Sequence, residues 1–293
     1  MVMKKHSAWV SILLGSSLLL SACGQSAAPA ASSAAQTEKE AAVKPAEAAS
    51  GAEVQKEAIE KYRQYVIGQT DEFVKAAEAF TKAVKAGDMD TAKSLYAPSR
   101  MHFERIEPIA ESLGDFDPWI DAREGDVPDN EWRGYHRLEK ALWETKSVAG
   151  QDKVADQLLQ DVKQLRVKVE SVEIDTQMLV TGAVELLNEV SSSKVTGEEE
   201  RYSHTDLYDF AANVEGANEI YQVLKPVVEK KDAALANEIN TRFTELDKAL
   251  QPYRKDKGYV SYTELTPDQT KKLSQAVDAL AEPLSKMGTV IGG

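Results

Sequence analysis

Apolar residues recur at intervals of three and four along most of this chain, and this spacing strongly constrains how it folds. From Ile59 through Val66 and Phe73 to Val84, large side chains fall on one face of a single long helix over residues 54–86. The same spacing returns in seven later segments, at about 88–113, 130–146, 151–171, 173–191, 204–230, 232–250 and 267–287. Only a short run near its end reads as a strand, at 258–262. The sequence therefore predicts an all-α protein.

Capping and turn-forming residues indicate where the predicted helices begin and end. Gly87 and Asp88 separate the first two helices, since glycine ends a helix readily and aspartate caps the start of the next one. Residues 114–129 contain glycine, proline and five aspartates, and we predict a loop there. Asp129 or Asn130 then caps the helix that follows.

We expect the predicted helices to be stabilised by packing against one another, since the chain cannot form a disulfide. Cys23 is its only cysteine, so no disulfide within the chain can form. Pro98 and Pro108 fall inside the second predicted helix and can kink it. We predict two packed antiparallel helical bundles, divided near Gly150.

The N-terminus has the parts of a secretory signal. Lys4 and Lys5 precede an apolar stretch at 8–20, which is shorter than an ordinary membrane-spanning helix. The stretch ends in Leu-Ser-Ala-Cys, a pattern in which small residues fit the signal peptidase and the thiol of Cys23 accepts lipid. We therefore predict removal of residues 1–22 and a lipidated Cys23 on the extracytoplasmic face of the cell membrane. An ordinary cleaved signal followed by a chance cysteine is the alternative.

Residues 24–51 consist mainly of Ala, Ser, Pro, Gln and Glu, and Val43 is their one large apolar residue. Such a segment cannot bury enough surface to fold, so we predict a flexible tether. A weak alanine-rich helix is the alternative. The predicted layout is thus a signal peptide at 1–22, lipidated Cys23 and its tether to residue 51, and a folded domain at 52–293.

The chain is strongly acidic. Its formal net charge is −13, and removal of residues 1–22 takes away two lysines and no acidic residue. A surface of this charge argues against nucleic acid as a partner and against direct binding to anionic lipid. It is compatible with binding a cation, although solvated acidic faces are commoner than acidic sites.

One helix carries polar residues where a buried face is expected. Trp132, His136, Glu139 and Trp143 follow one another at spacings of four, three and four, which keeps them on one side of a helix. A buried carboxylate and imidazole need partners, and a pair at i and i+3 can share one cation. The alternative is a hydrogen-bonded His–Glu pair flanked by aromatic residues by chance.

The helix before the predicted loop has a similar isolated charge. Glu104 is the only charged residue on an otherwise apolar stripe of that helix, and Glu107 is a rival candidate. The loop adds four aspartates, Asp115, Asp117, Asp121 and Asp126. Such aspartates usually cap helices or face water. Glu104, a loop aspartate, His136 and Glu139 would offer three oxygens and one nitrogen, which suits iron, zinc, copper or manganese.

Several of these segments resemble the EfeO/EfeM iron-uptake lipoproteins. The resemblance lies in the segments 96–100, 104–111, 115–124, 134–143 and 202–210, and it covers essentially the whole folded part. It is closest to the short form, EfeM, which lacks the N-terminal cupredoxin domain of longer members. The resemblance implies an imelysin-like fold of two helical bundles with a metal site built on a His-x-x-Glu motif.

That motif falls on His136 and Glu139 in this sequence. The other ligands implied by the resemblance map to Glu104 and to Asp121, and the match at Asp121 is the less direct of the two. Iron, as Fe²⁺ or Fe³⁺, is the implied cargo, with zinc or copper as other candidates. The implied partners are a membrane iron permease and a haem-peroxidase-like component of the same system.

The leading hypothesis for function is capture of iron outside the membrane and its delivery to that permease, without an enzymatic role. A peptidase is an alternative because imelysin relatives carry that label, but the sequence has no His-Glu-x-x-His helix. A ferroxidase role also stays open. A cation-bridged binder of anionic polysaccharide is the third hypothesis, for which the basic cluster Arg133, Arg137 and Lys140 is the one supporting feature.

Overall fold

Ten α-helices form most of the backbone in the computed structural model, which describes residues 45–292 and the side chains of residues 51–292. The helices are α1 Pro45–Ala86, α2 Met89–Glu104, α3 Glu107–Ser112, α4 Phe116–Asp121, α5 Tyr135–Trp143, α6 Asp152–Lys168, α7 Thr176–Ser192, α8 Asp206–Lys231, α9 Ala233–Leu250 and α10 Pro267–Gly292. Short 3₁₀ turns lie at Val169–Ser171, Lys194–Thr196, Gln251–Tyr253 and Tyr262–Glu264. The prediction of an all-α fold is confirmed.

The helices pack in two neighbouring groups. In the first, α1 lies against α2 and α6, and the short helices α3, α4 and α5 complete one end. In the second, α7 packs on α8 and α10, and α9 packs on α8 and α10. Helix α8 also contacts α1 and α2, so it joins the groups, and all the described residues belong to one compact unit.

The chain passes from the first group to the second between α6 and α7. Helix α6, which follows Gly150, packs along α1 and therefore belongs with the helices that precede it. The division into two domains near residue 150 stays a prediction. What the packing shows is that α1 contacts both α2, which precedes Gly150, and α6, which follows it.

The predicted helix at 88–113 is two helices. Helix α2 ends at Glu104, and α3 begins at Glu107 with Pro108 in its first turn. A proline ring clashes with the carbonyl group four residues earlier, so Pro108 does not allow the helix to continue through Glu104. Pro98 behaves differently, because α2 runs through it without a break.

The predicted loop at 114–129 and the predicted start of the next helix are both wrong in part. Residues 116–121 form α4, and the following helix begins at Tyr135 rather than at residue 130. Gly134 stands at the N-cap with φ 89°, so neither Asp129 nor Asn130 caps it. The helical spacing that links Trp132 to His136 is therefore coincidental, although Trp132 is buried.

The remaining differences lie at the ends of elements. The strand-like run forms only a two-residue strand, β2 Gly258–Tyr259, which pairs antiparallel with β1 Arg254–Lys255. Helix α1 begins at Pro45, so residues 45–51 of the predicted tether are helical.

The predicted signal peptide, Cys23 and the tether to residue 44 lie outside the described residues. Among the helices of the described part, none is both long and apolar enough to cross a membrane.

Aromatic side chains fill the core beside α5. The Tyr135 ring stacks on Phe80 at 5.2 Å between centroids and on Phe73 at 6.0 Å, and Tyr96 meets it edge-on at 5.8 Å. All four side chains are buried. Because Tyr135 directly precedes His136, this packing fixes where the start of α5 lies.

Candidate metal site

Helix α5 carries His136 and Glu139 into the interior on one face. Both side chains are buried, and His136 Nδ1 lies 3.0 Å from Glu139 Oε2. The other carboxylate oxygen of Glu139 accepts hydrogen bonds from the backbone N–H groups of Tyr202 and Ser203, at 3.0 and 2.8 Å. Glu139 is thus held at both oxygens, and it fixes the orientation of the imidazole ring.

The other ring nitrogen of His136 faces two further carboxylates. Nε2 lies 3.5 Å from Asp121 Oδ1 and 3.8 Å from Glu199 Oε1, and it has no hydrogen-bond partner among the described residues. The ligand atoms of these three residues all lie within 4.8 Å of one another, and all three side chains are buried. An imidazole nitrogen with carboxylate oxygens is a donor set that suits a transition-metal cation.

His136, Glu139 and Glu200 form a second group with ligand atoms equally close together. Here the imidazole already makes its hydrogen bond to Glu139. Glu200 is occupied as well, because its Oε2 accepts from Ser203 Oγ at 2.6 Å and its Oε1 lies 2.7 Å from Arg100 Nε. The Nε2 side differs because its ring nitrogen has no hydrogen-bond partner among the described residues, while Asp121 and Glu199 are paired with Arg100 and Arg123.

A buried arginine lies in the middle of the acidic residues. Arg100 Nη2 lies 2.6 Å from Glu104 Oε1, and Nη1 donates to Asp121. Its Nε lies 3.5 Å from Asp209 Oδ1 in addition to its contact with Glu200. A guanidinium that is 1% exposed needs such neighbours, since a buried charge without a partner is strongly unfavourable.

Glu104 is buried as predicted, but its carboxylate faces cations rather than His136. Besides Arg100, Lys194 Nζ lies 2.6 Å from its Oε2, and Asn213 Nδ2 donates to the same oxygen at 3.1 Å. Glu107, the rival candidate, shares Lys194 and Asn213, at 3.6 and 3.0 Å. The structure therefore brings Asp121, His136 and Glu139 together and connects Glu104 to them through Arg100.

Sequence reasoning missed the carboxylates that come from the second half of the chain. Glu199 and Glu200 follow the turn Lys194–Thr196 and precede α8, in a segment without helical periodicity. Their one signal is the acidic run at 198–200, and an isolated run of charges is usually a solvated surface. Sequence reasoning also missed Arg100 and Lys194. Long cationic side chains are rarely fully buried, so neither was expected in the interior.

The carboxylates around His136 change its protonation. Burial disfavours the charged imidazolium, but the nearby carboxylates of Glu139, Glu199 and Asp121 outweigh it and raise the pKa of His136 to about 10. Burial and the charge of Glu139 raise the pKa of Glu200 to about 7. Without a metal ion, the imidazole of His136 thus carries a proton, although this ring is the one that would coordinate a metal ion.

A cavity of about 160 Å³ lies against this group. Asp121 and Glu199 form part of its wall, together with Glu107, Glu111, Asp117, Asp126, Glu189 and the neutral or basic residues Pro118, Ala122, Arg123 and Val127. Burial, followed by the charges of Asp121 and Glu111, raises the pKa of Asp117 to about 7. Asp117 therefore lies in a region of negative potential.

The four aspartates of the predicted loop have separate places. Asp121 belongs to the His136 group, and Asp117 lies in the cavity wall. Asp126 Oδ2 accepts from Arg123 Nε at 3.1 Å. Asp115 precedes α4 without making a side-chain capping bond.

The basic cluster on and before α5 is already paired. Arg133 Nε lies 3.1 Å from Asp161, and its guanidinium stacks over the Trp119 ring at 4.4 Å. Arg137 donates to the Trp132 carbonyl group at 2.5 Å, and Lys140 Nζ lies 2.5 Å from Glu124. These contacts leave little unpaired positive charge for a polyanion.

Comparison with known proteins agrees with this architecture. The imelysin family model, whose label is that of a peptidase family, matches residues 58–287. A protein of Staphylococcus haemolyticus (strain JCSC1435) is 45% identical over 284 residues, which cover 95% of this chain and 97% of the relative. A protein of Staphylococcus aureus (strain NCTC 8325 / PS 47) is 46% identical over 241 residues, or 80% of this chain and 85% of the relative.

Both relatives are named Efem/EfeO family lipoprotein, a name that describes a lipoprotein and not an enzyme. The family match spans more than half of the chain, and both relatives are matched over most of their own length. The chain therefore belongs to the imelysin family and, within it, to the EfeM/EfeO family of lipoproteins.

Proposed function

We propose that this protein captures iron outside the cell membrane and passes it to a membrane permease, and that it binds the ion at His136, Asp121 and Glu199. In this proposal the protein acts by binding and release rather than as an enzyme. Iron is its cargo, as Fe²⁺ or Fe³⁺, and zinc or copper are the competing ions.

The observation that carries the proposal is the environment of His136 Nε2. A buried ring nitrogen without a hydrogen-bond partner is unfavourable, and native proteins usually satisfy such atoms. Here it faces two buried carboxylates at 3.5 and 3.8 Å, distances that leave space between the three donors. A metal cation between them would replace the proton on the ring, bind the nitrogen and supply positive charge to both carboxylates.

The neighbouring residues have separate roles in this proposal. Glu139 keeps the ring in place through Nδ1, a common outer contact of metal-binding histidines. Asp121 and Glu199 supply negative charge, while Arg100 shares Asp121 and so limits how strongly a cation is held. Limited affinity fits a carrier, because delivery requires release. Glu104 would act indirectly by holding Arg100.

The membrane and partner parts of the proposal rest on the relatives' names and the N-terminal sequence. Those relatives are lipoproteins by name, and Cys23 follows the small residues that a lipoprotein signal requires. We propose that lipid on Cys23 anchors the protein on the extracytoplasmic face of the cell membrane. A membrane iron permease and a haem-peroxidase-like component are the proposed partners.

Calorimetric titration of the metal-stripped protein tests the proposal. We expect stoichiometric binding of iron, measured with Fe²⁺ under anaerobic conditions and with chelated Fe³⁺, beside Zn²⁺ and Cu²⁺. The variants His136→Ala, Asp121→Asn and Glu199→Gln should each weaken binding by at least tenfold. His102→Gln is the matched control, since His102 Nδ1 contacts Gln69 at 3.0 Å instead of this group. Absence of iron binding to the unaltered protein would refute the proposal.

A further inference from the structure

The acidic cavity beside the proposed metal site has exposed and buried carboxylates in its wall. Glu111 is exposed and Glu189 is 31% exposed, whereas Asp121 and Glu199 are buried. Seven of its eleven lining residues are carboxylates, and Arg123 is the one cation among those lining residues. The cavity thus leads from solvent to two of the proposed ligands.

An independent feature at its inner end points to a cation. The Nε2 atom of His136, which is 1% exposed and lacks a hydrogen-bond partner among the described residues, faces Asp121 and Glu199. Since these two carboxylates also line the cavity, an ion that crossed it would arrive beside that nitrogen.

Arg123 lies in the wall of this cavity and contacts one of the proposed ligands. Its Nη1 donates to Glu199 Oε2 at 2.8 Å and to Ser193 Oγ at 2.9 Å, and its Nε donates to Asp126 at 3.1 Å. The side chain is 28% exposed, and its guanidinium holds a proposed ligand. An ion that uses both oxygens of Glu199 has to displace this contact.

We propose that the acidic cavity is the entrance by which the metal ion reaches His136, and that Arg123 closes it by holding Glu199. This inference rests on the proposed function and adds a route and a positioning residue to it. The outer carboxylates Glu111, Asp117 and Glu189 attract the cation, and Arg123 slows both its entry and its exit.

Electrostatic attraction of this kind acts on the rate of association. Clefts lined by charge of one sign raise association rates by about 10- to 1,000-fold, and added salt weakens the effect. Neutral variants of the outer carboxylates should therefore slow association and leave dissociation nearly unchanged. Loss of the Arg123 guanidinium should accelerate both steps, because Glu199 is then free to move.

Stopped-flow measurement of Fe²⁺ binding under anaerobic conditions tests this, with tryptophan fluorescence as the signal. We expect the triple variant Glu111→Gln/Asp117→Asn/Glu189→Gln to associate about tenfold more slowly than the unaltered protein at low salt, and the difference to shrink at high salt. Arg123→Gln should raise association and dissociation rates by about threefold or more. Glu173→Gln is the matched control, since this exposed residue precedes α7 and lies about 20 Å along that helix from Glu189.

Unchanged association in the triple variant would overturn the entrance, and unchanged rates in Arg123→Gln would overturn its closing role. Thermal unfolding of each variant, together with the single variant of exposed Glu111, separates a change of route from a loss of folding. If the unaltered protein takes up no iron at all, the proposed function fails and the entrance fails with it. Normal uptake with unaltered rates in the variants would refute the entrance alone.

Discussion

The imidazole of His136 lies among three carboxylates that hold a proton on it. Burial opposes the charged ring, yet Glu139, Glu199 and Asp121 raise the pKa of His136 to about 10. Since this value is above the ordinary value of about 6.5, the charged ring stabilises the metal-free fold. That stabilisation is fully present below pH about 6.5 and is lost as the pH rises through about 10. A metal ion at Nε2 must compete with this proton.

Iron binding should therefore release protons. At pH 7 we expect about one proton to leave for each ion bound, and the apparent affinity to fall up to about tenfold for each unit by which the pH is lowered. Calorimetry in two buffers with different heats of ionisation measures the number released. In Glu139→Gln the number should drop, because the carboxylate nearest Nδ1 is gone. Tight binding without proton release would show that His136 is not a ligand.

At the scale of single residues, sequence predicts the parts of the site that are close together in the chain. His136 and Glu139 are one helical turn apart, so their spacing alone puts them on one face. Glu199 and Glu200 come from a segment about sixty residues later, which no periodicity connects to α5. Glu104 was predicted to be buried and is buried, but only the fold shows that Lys194 and Arg100 meet its carboxylate.

At the scale of elements, the site depends on how α4 approaches the start of α5. Gly134 has φ 89°, and a Cβ atom there would lie 2.3 Å from the Ile120 carbonyl oxygen. Only glycine allows both the backbone conformation and this close approach. The contact holds Asp121, the last residue of α4, near His136, the second residue of α5.

Replacement of Gly134 by alanine should damage the site as well as the fold. The combined strain and overlap should lower the free energy of unfolding by about 3 kcal/mol, and iron affinity should fall because Asp121 moves relative to His136. Chemical denaturation and calorimetric titration measure the two effects. Gly150→Ala is the control, since Gly150 has φ 80° and a Cβ atom added there would meet nothing within 4 Å. It should cost about 1 kcal/mol and leave affinity unchanged.

Helices with long amphipathic stripes could be predicted from sequence, whereas the short ones around the site could not. The predicted helix at 267–287 matches α10 at its start, because Thr266, Pro267 and Gln269 supply ordinary capping signals. Helix α4 has six residues and lies among aspartates and a proline, where composition favours a loop. The start of α5 depends on Gly134 and on its contact with α4, which is a tertiary feature.

At the scale of the whole molecule, the proposed ligands come from both groups of helices. Asp121 and His136 lie on α4 and α5 in the first group, whereas Glu199 lies in the connection between α7 and α8 of the second. A bound ion would therefore add a link between the groups to the packing of α8 on α1 and α2, the packing of α3 on α7, and charged contacts such as Arg123–Glu199. Such a link acts on the stability of the entire fold.

Iron should accordingly raise the temperature of unfolding. An ion at a concentration of 100 times its Kd stabilises the folded state by about 2.7 kcal/mol, which corresponds to roughly 5–10 °C for a domain of this size. Differential scanning calorimetry with and without Fe²⁺ measures the shift, and a chelator should reverse it. Glu199→Gln should lose most of the shift, while His102→Gln should keep it because its side chain lies outside the group. Stoichiometric binding that leaves the unfolding temperature unchanged would mean that the unfolded chain binds the ion equally well, which would contradict a site assembled by the fold.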